Sequence, residues 1–295
     1  MAAESAAQLF SRLGSRQPLN GLDSGMFCGI PNGIQPGDVV EFHGAEGCGK
    51  TEMLLHLIAN CVLPQTWNDI NLGGHGVQVI FIDTDFHFQV LRLVAILECR
   101  IENAKKMLTV VSHDADADGA NDQNECTNDI EEFIKTCLSR LYVLRCNNSL
   151  ELLTSLLSLE QMLMAKPEVC VLMIDSLSAY YWIDRSKGWE STNDQEENMK
   201  KIIMIIKKYA KDFLLVVIVT THAIFSSSLK SVEPYFCRSW SSVVRYKYLF
   251  SRKDEHAFNA SAVGPQPVFI AQRTLPRSNQ FQKFCCTDKG VEFRS

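Results

Sequence analysis

The octapeptide Gly44-Ala45-Glu46-Gly47-Cys48-Gly49-Lys50-Thr51 (GAEGCGKT) matches G-x-x-x-x-G-K-[ST], the pattern of a loop that cradles nucleotide phosphates. Residues 39–43 ahead of it form a short apolar run, expected as a buried strand. Behind it Leu54, Leu55, Ile58, Cys61 and Val62 recur at helical spacing until Pro64 stops them, which predicts a helix. Gly44, Gly47 and Gly49 are expected to supply positive φ, so that successive N–H groups converge on an anion where the helix begins. Lys50 would neutralise charge on the β- and γ-phosphates, and the Thr51 hydroxyl would hold Mg²⁺.

Farther out, residues 77–83 predict a second strand, and Val90, Leu93, Val94, Leu97 and Ile101 a helix after it. Residues 141–144 read as a third strand, 150–164 as a helix, 169–175 as a fourth strand, 196–209 as a helix and 213–219 as a fifth strand. Apolar strands alternating with helices predict an α/β fold, a mostly parallel central sheet covered by helices on both faces. Beyond Trp240 come strands without intervening helices (243–250, 268–271, 281–286), expected as antiparallel additions at the C-terminal edge. Residues 64–76 read as a polar loop. Residues 1–36, broken by Pro18, Gly21, Gly25, Gly29, Pro31 and Gly33, hold too little apolar material for a domain. They are expected as an N-terminal arm or partner-docking segment with a short helix over 6–13, leaving 37–295 as one domain.

A hydrophobic content of 46% over 295 residues is ample for a large core, and no apolar run is long enough to cross a bilayer. The start MAAESAAQLF lacks a basic-then-apolar signal sequence, so an intracellular, soluble chain without a membrane partner is expected. Eleven cysteines with no Cys-x-x-Cys pair, several inside apolar runs, suit reduced core thiols and not a zinc site or disulfide frame. A net charge of −5 argues against gripping nucleic acid unaided. Lys230, Arg238, Arg245, Lys247, Arg252 and Lys253 nevertheless make the stretch after the fifth strand locally basic. Residues 113–128 form an acidic insert in which Asp114, Asp116, Asp118, Gly119 and Glu125 fit positions of a calcium loop. Asn121 stands where that loop is normally apolar and no second loop exists, so a solvated insertion without calcium is expected.

Three further residues carry candidate chemistry. Asp175 ends the fourth strand, where a carboxylate would serve Mg²⁺ opposite Thr51. Asp85, just past the second strand, is the candidate for orienting an attacking water; its plainer role is a loop Asp or the cap of a helix from Phe86 onward. His222 follows the fifth strand, placed either to sense a γ-phosphate or to stand in a solvated loop.

In their order, GAEGCGKT, VIFIDTDFHF, VLMIDSLSAYYW and VVIVTTHA resemble the ATPase core of the RecA-family recombinases. The phrases EFHGAEGCGKTEML, FIDTDFHF, LRLVAILE and DSLSAYYWIDR and the GVEF ending are similar to the family's short eukaryotic paralogues, over residues 36–293. The resemblance implies a RecA-like ATPase core over 37–295 that binds ATP through Gly44, Ala45, Glu46, Gly47, Cys48, Gly49, Lys50 and Thr51, with Mg²⁺ at Thr51 and Asp175. It also implies a nuclear protein of homologous-recombination repair. Such a protein works with other recombinase paralogues in a hetero-oligomeric complex that assists the main recombinase at breaks and stalled forks. Single-stranded or branched DNA would be met through that complex. The segments from 176 to about 193 and from 223 to 236 match the family's DNA-facing loops in position.

The family's catalytic Glu is here Asp85, one methylene shorter, and its γ-phosphate-sensing Gln falls at His222. The family's small helical amino-terminal domain has no counterpart. The two substitutions point to ATP binding with weak or absent turnover. Two other readings stay open: a DNA-stimulated ATPase that remodels DNA itself, and a P-loop small-molecule kinase. For the kinase, residues 182–195 offer only Arg185 and Lys187 as phosphate clamps.

Overall fold

The computed structural model describes residues 5–6, 19, 21–111, 123–186, 192–223, 238–253 and 267–294. Strand β1 (Val39–Gly44) is buried along its whole length, its two polar side chains Glu41 and His43 both bonded to Thr221. A two-residue hairpin, β2 (Thr66–Trp67) and β3 (Ile70–Asn71), interrupts the loop expected over 64–76; Trp67 stacks on Phe133 at 4.2 Å. The main sheet has nine strands. It runs β11 (Gly290–Arg294), β10 (Phe281–Thr287), β9 (Val268–Leu275), β8 (Tyr246–Lys253), β1, β7 (Val216–His222), β6 (Val169–Asp175), β4 (Gln78–Asp83) and β5 (Leu141–Arg145). Pairing is parallel from β8 through to β5 and antiparallel from β8 out to β11.

Strand side chains alternate, so the sheet feeds two cores. Val40, Phe42, Val79 and Phe81 face α1 (Lys50–Val62), α2 (Val90–Val111) and α3 (Gln123–Leu138). Val39, Ile80, Ile82 and Ile174 face α4 (Ser149–Ala165) and α6 (Thr192–Asp212). Two short helices, α5 (Tyr181–Ser186) and α7 (Arg238–Ser241), follow β6 and precede β8.

Several boundaries differ from expectation, each for a physical reason. The fifth strand begins at Val216, because Phe213 still donates to the Tyr209 carbonyl and Leu214 turns the chain at φ 53°. It runs on through Thr220, Thr221 and His222, whose side chains all find polar partners. Strand β8, expected as an antiparallel addition, lies parallel to β1; only β9 to β11 run antiparallel. Strand β11 was not expected at all. Helix α3 begins at Gln123, inside the stretch read as an acidic insert, whereas Asp114, Asp116 and Asp118 lie outside the described residues.

The helix expected over 6–13 falls outside the described residues apart from Ala6. Nearer the domain, the lead-in packs down: Leu19, Leu22, Met26, Phe27, Ile30 and Ile34 are buried in the core that holds α1. A buried polar chain fixes it there. His56 Nε2 lies 2.8 Å from Asp23 Oδ2, Asn60 donates to the same oxygen, and Arg100 Nη2 lies 2.7 Å from His56 Nδ1. Asp23 therefore accepts from His56, whose other nitrogen accepts from Arg100.

Candidate nucleotide-binding site

The phosphate loop leaves β1 and enters α1, and its glycines act for two different reasons. Gly47 and Gly49 stand at φ 69° and 87°, the left-handed region, as expected. Gly44 does not; it is needed for space, since a Cβ there would stand 2.4 Å from the Phe250 carbonyl oxygen on β8. Gly49 takes the N-cap position of α1 without a side-chain cap, which leaves the first helical N–H groups open to an anion. Lys50 is 5% exposed, and its ammonium donates to the carbonyls of Gly44 (2.9 Å) and Ala45 (2.7 Å). Ala223 N–H, just past β7, also donates to the Gly44 carbonyl.

Strand β6 delivers Asp175 to the same place. The Thr51 hydroxyl donates to Asp175 Oδ2 at 2.7 Å, across 124 residues of sequence, and Thr220 on β7 donates to the other carboxylate oxygen. Burial raises the Asp175 pKa, against the opposing bonds from Thr220 and Thr51.

Asp85 and His222 are brought together. His222 Nε2 lies 2.8 Å from Asp85 Oδ2, and the His222 N–H donates to Ser178 Oγ. Burial works against ionisation of Asp85, but the bonds from His222 and Ser176, with the charges of His222 and His87, together outweigh it and the pKa is lowered. Capping of the following turn falls to a different residue: Asp83, fully buried, accepts from the N–H groups of His87 and Phe88. Asp85 thus lies in a loop, and the helix begins only at Val90, too far on for Asp85 to cap it; His222 is the last residue of β7 and not a solvated loop residue.

A cavity of about 370 Å³ joins these groups. It is lined by residues 46–51 of the loop together with Asp85, Asp175 and His222, and also by Glu52, His87, Phe269 and Cys286. The last four were missed by sequence reasoning. Glu52 and His87 adjoin motif residues and so carried a weak positional signal; Phe269 and Cys286 arrive from the C-terminal strands and carried none. Arg92 ties this rim together, paired with Glu52 at 2.9 Å while donating to the Thr287 and Asp288 carbonyls.

Among the described residues of the basic stretch after β7, two charges are committed to carboxylates. Arg245 precedes β8 and pairs with Asp38 at 2.7 Å, Lys247 lies 3.5 Å from Glu41, and Lys253 ends the strand. Lys230 lies outside the described residues.

Strand order, phosphate loop and the Thr51–Asp175 bond define a RecA-type ATPase core, and comparison with known proteins gives the same class. The Rad51 family model matches residues 131–233. The mouse protein named DNA repair protein XRCC2 is 33% identical over 99% of this chain and 97% of its own length. An Arabidopsis thaliana protein named as a homologue of XRCC2 is 34% identical over 62% of this chain and 52% of its own. DNA repair protein RAD51 homolog 3 of Cricetulus griseus is 26% identical over 52% and 39%. The chain belongs to the RecA/Rad51 family, as a recombinase paralogue of DNA repair by homologous recombination. The small-molecule kinase reading falls with that assignment.

Proposed function

We propose that this chain is an ATP-binding subunit of a nuclear, hetero-oligomeric complex of recombinase paralogues, in which nucleotide is held and turned over slowly or not at all. The observation that carries the nucleotide reading is the buried Lys50 ammonium. Its hydrogen bonds go to two loop carbonyls and the Cys48 sulfur, and among the described residues it has no carboxylate partner. A buried cation held only by uncharged groups suits an incoming anion. The donor set fits Mg·ATP: open N–H groups at Gly49 and the first turn of α1, Lys50 for the β/γ oxygens, and the Thr51 hydroxyl with Asp175 to hold Mg²⁺. The metal, when bound, supplies neutralisation of charge between the β- and γ-phosphates.

The names of the similar mouse and Arabidopsis proteins support a repair role and hence a nuclear location. A net charge of −5, with Arg245 and Lys247 committed to carboxylates, supports contact with single-stranded or branched DNA through the complex. Residues 1–36 are the proposed partner-docking segment, with side chains from Leu19 to Ile34 seated in the core.

Titrating the full-length chain with a fluorescent ATP analogue tests the reading. Binding is expected to saturate and to require Mg²⁺, and Lys50→Ala to weaken it at least about tenfold. Co-purification with a partner paralogue should survive the change. Absence of saturable binding by the unaltered chain would remove the nucleotide role.

A further inference from the structure

The Asp85–His222 contact crosses the carboxyl end of β6, because β6 lies between β4 and β7 in the sheet. Asp85 is further fixed by its own N–H, which donates to the Asp175 carbonyl, and His222 by its N–H on Ser178. Both side chains open onto the nucleotide cavity, and both are largely covered: 17% of Asp85 and 31% of His222 are exposed. In hydrolysis, a water oxygen bonds to the γ-phosphorus while the bond to the β–γ bridging oxygen breaks, the diphosphate leaves with that oxygen, and the water's proton passes to a phosphate oxygen or a carboxylate. A carboxylate that orients that water has to aim an oxygen at it. Here Oδ2 is engaged by the His222 imidazole, on a side chain one methylene shorter than a glutamate.

We propose that His222 acts as a brake: it holds Asp85 away from the attacking water, so the site keeps a nucleoside triphosphate intact. His222 is then a positioning residue, and slow turnover is a property of the pair and not of a ruined site. The inference rests on the nucleotide-binding reading above and assigns what limits chemistry at that same site. It differs from the view that a shorter carboxylate has merely lost activity, because it predicts a gain on mutation.

The test uses the full-length chain, His222→Gln, His222→Ala, and each combined with Asp85→Asn. Two readouts are taken: the identity of retained nucleotide after loading with Mg·ATP and gel filtration, and the single-turnover rate. The unaltered chain should retain triphosphate. Both His222 variants should carry diphosphate and hydrolyse at least about tenfold faster. Adding Asp85→Asn should abolish the gain. A structural loosening would instead lower affinity and rate together. Unchanged or slower hydrolysis in whichever His222 variant folds, or a gain that survives Asp85→Asn, overturns the brake while leaving nucleotide binding in place. Failure of the unaltered chain to bind ATP overturns both.

Discussion

Strands β1 and β6 are buried residue for residue, and β7 in all but its last position, whereas in β10 only Phe284 and Cys285 are buried. The middle of the parallel half, β1, β7, β6 and β4, is covered on both faces; its edge strand β5 has no buried residue, and the antiparallel wing meets the core with one face. The functional side chains divide along the same line. Lys50, Thr51, Asp175, Asp85 and His222 come from the carboxyl end of the parallel half. The wing contributes packing: Phe269 and Phe284 close on Gly49, and the Thr287 and Asp288 carbonyls hold Arg92 against Glu52. Double-sided burial places the chemistry, and single-sided burial braces the loop that carries it.

If that division is right, truncations should cost most in the parallel half. Phe81 on β4 is fully buried with its ring 5.1 Å from Phe88, and Phe81→Ala should lose about 3–5 kcal/mol in urea unfolding. A loss below about 1 kcal/mol would break the comparison. His43 offers a pH-dependent version. The Thr221 hydroxyl donates to Glu41, so its oxygen accepts from His43 Nδ1–H. Burial, helped by Lys247, Lys50 and His222, lowers the His43 pKa from 6.5 to about 4. The unfolded chain therefore takes up the proton first. Stability should be undiminished above pH 6.5, fall as pH drops, and have lost about 3 kcal/mol from this group below about pH 4. His43→Gln should flatten that slope; identical pH profiles for the two chains would remove His43 as its source.

Arg92→Ala cuts the tie between the halves and should cost about 1–2 kcal/mol, while speeding amide exchange in β10 and β11. Exchange accelerated equally in β4 would show the wing is not separately braced. The smallest effect belongs to the wing's outer face. Phe281 is 51% exposed, and Phe281→Ala should change stability by less than about 0.5 kcal/mol. A larger loss would mean that this face is covered after all.

The same contrast governs what could be read beforehand. Five parallel strands announced themselves because two-sided burial forces unbroken apolar runs such as 169–175. The motif residues were equally legible, since phosphate chemistry dictates their spacing. The direction of β8 was hidden, because nothing in Tyr246–Lys253 itself records which way the strand runs beside β1. Contact between Asp85 and His222, 137 residues apart, depends on strand order, which local pattern does not encode. Gly44 was recognised as required but for the wrong reason: its restriction comes from the Phe250 carbonyl, about two hundred residues downstream.

That same long-range dependence bears on how the protein is made. Strand β1 has only β7 and β8 for neighbours, so residues 39–44 find no hydrogen-bonded partner until 216–222 exist. At about 5–20 residues per second of synthesis, this apolar strand waits roughly ten to thirty-five seconds with both edges unpaired. In that interval α1 cannot seat against a finished sheet, and the nucleotide cavity has no far wall. Ligand therefore cannot guide early folding, and a nascent chain halted before Val216 is a client for chaperones with its most adhesive strand on offer.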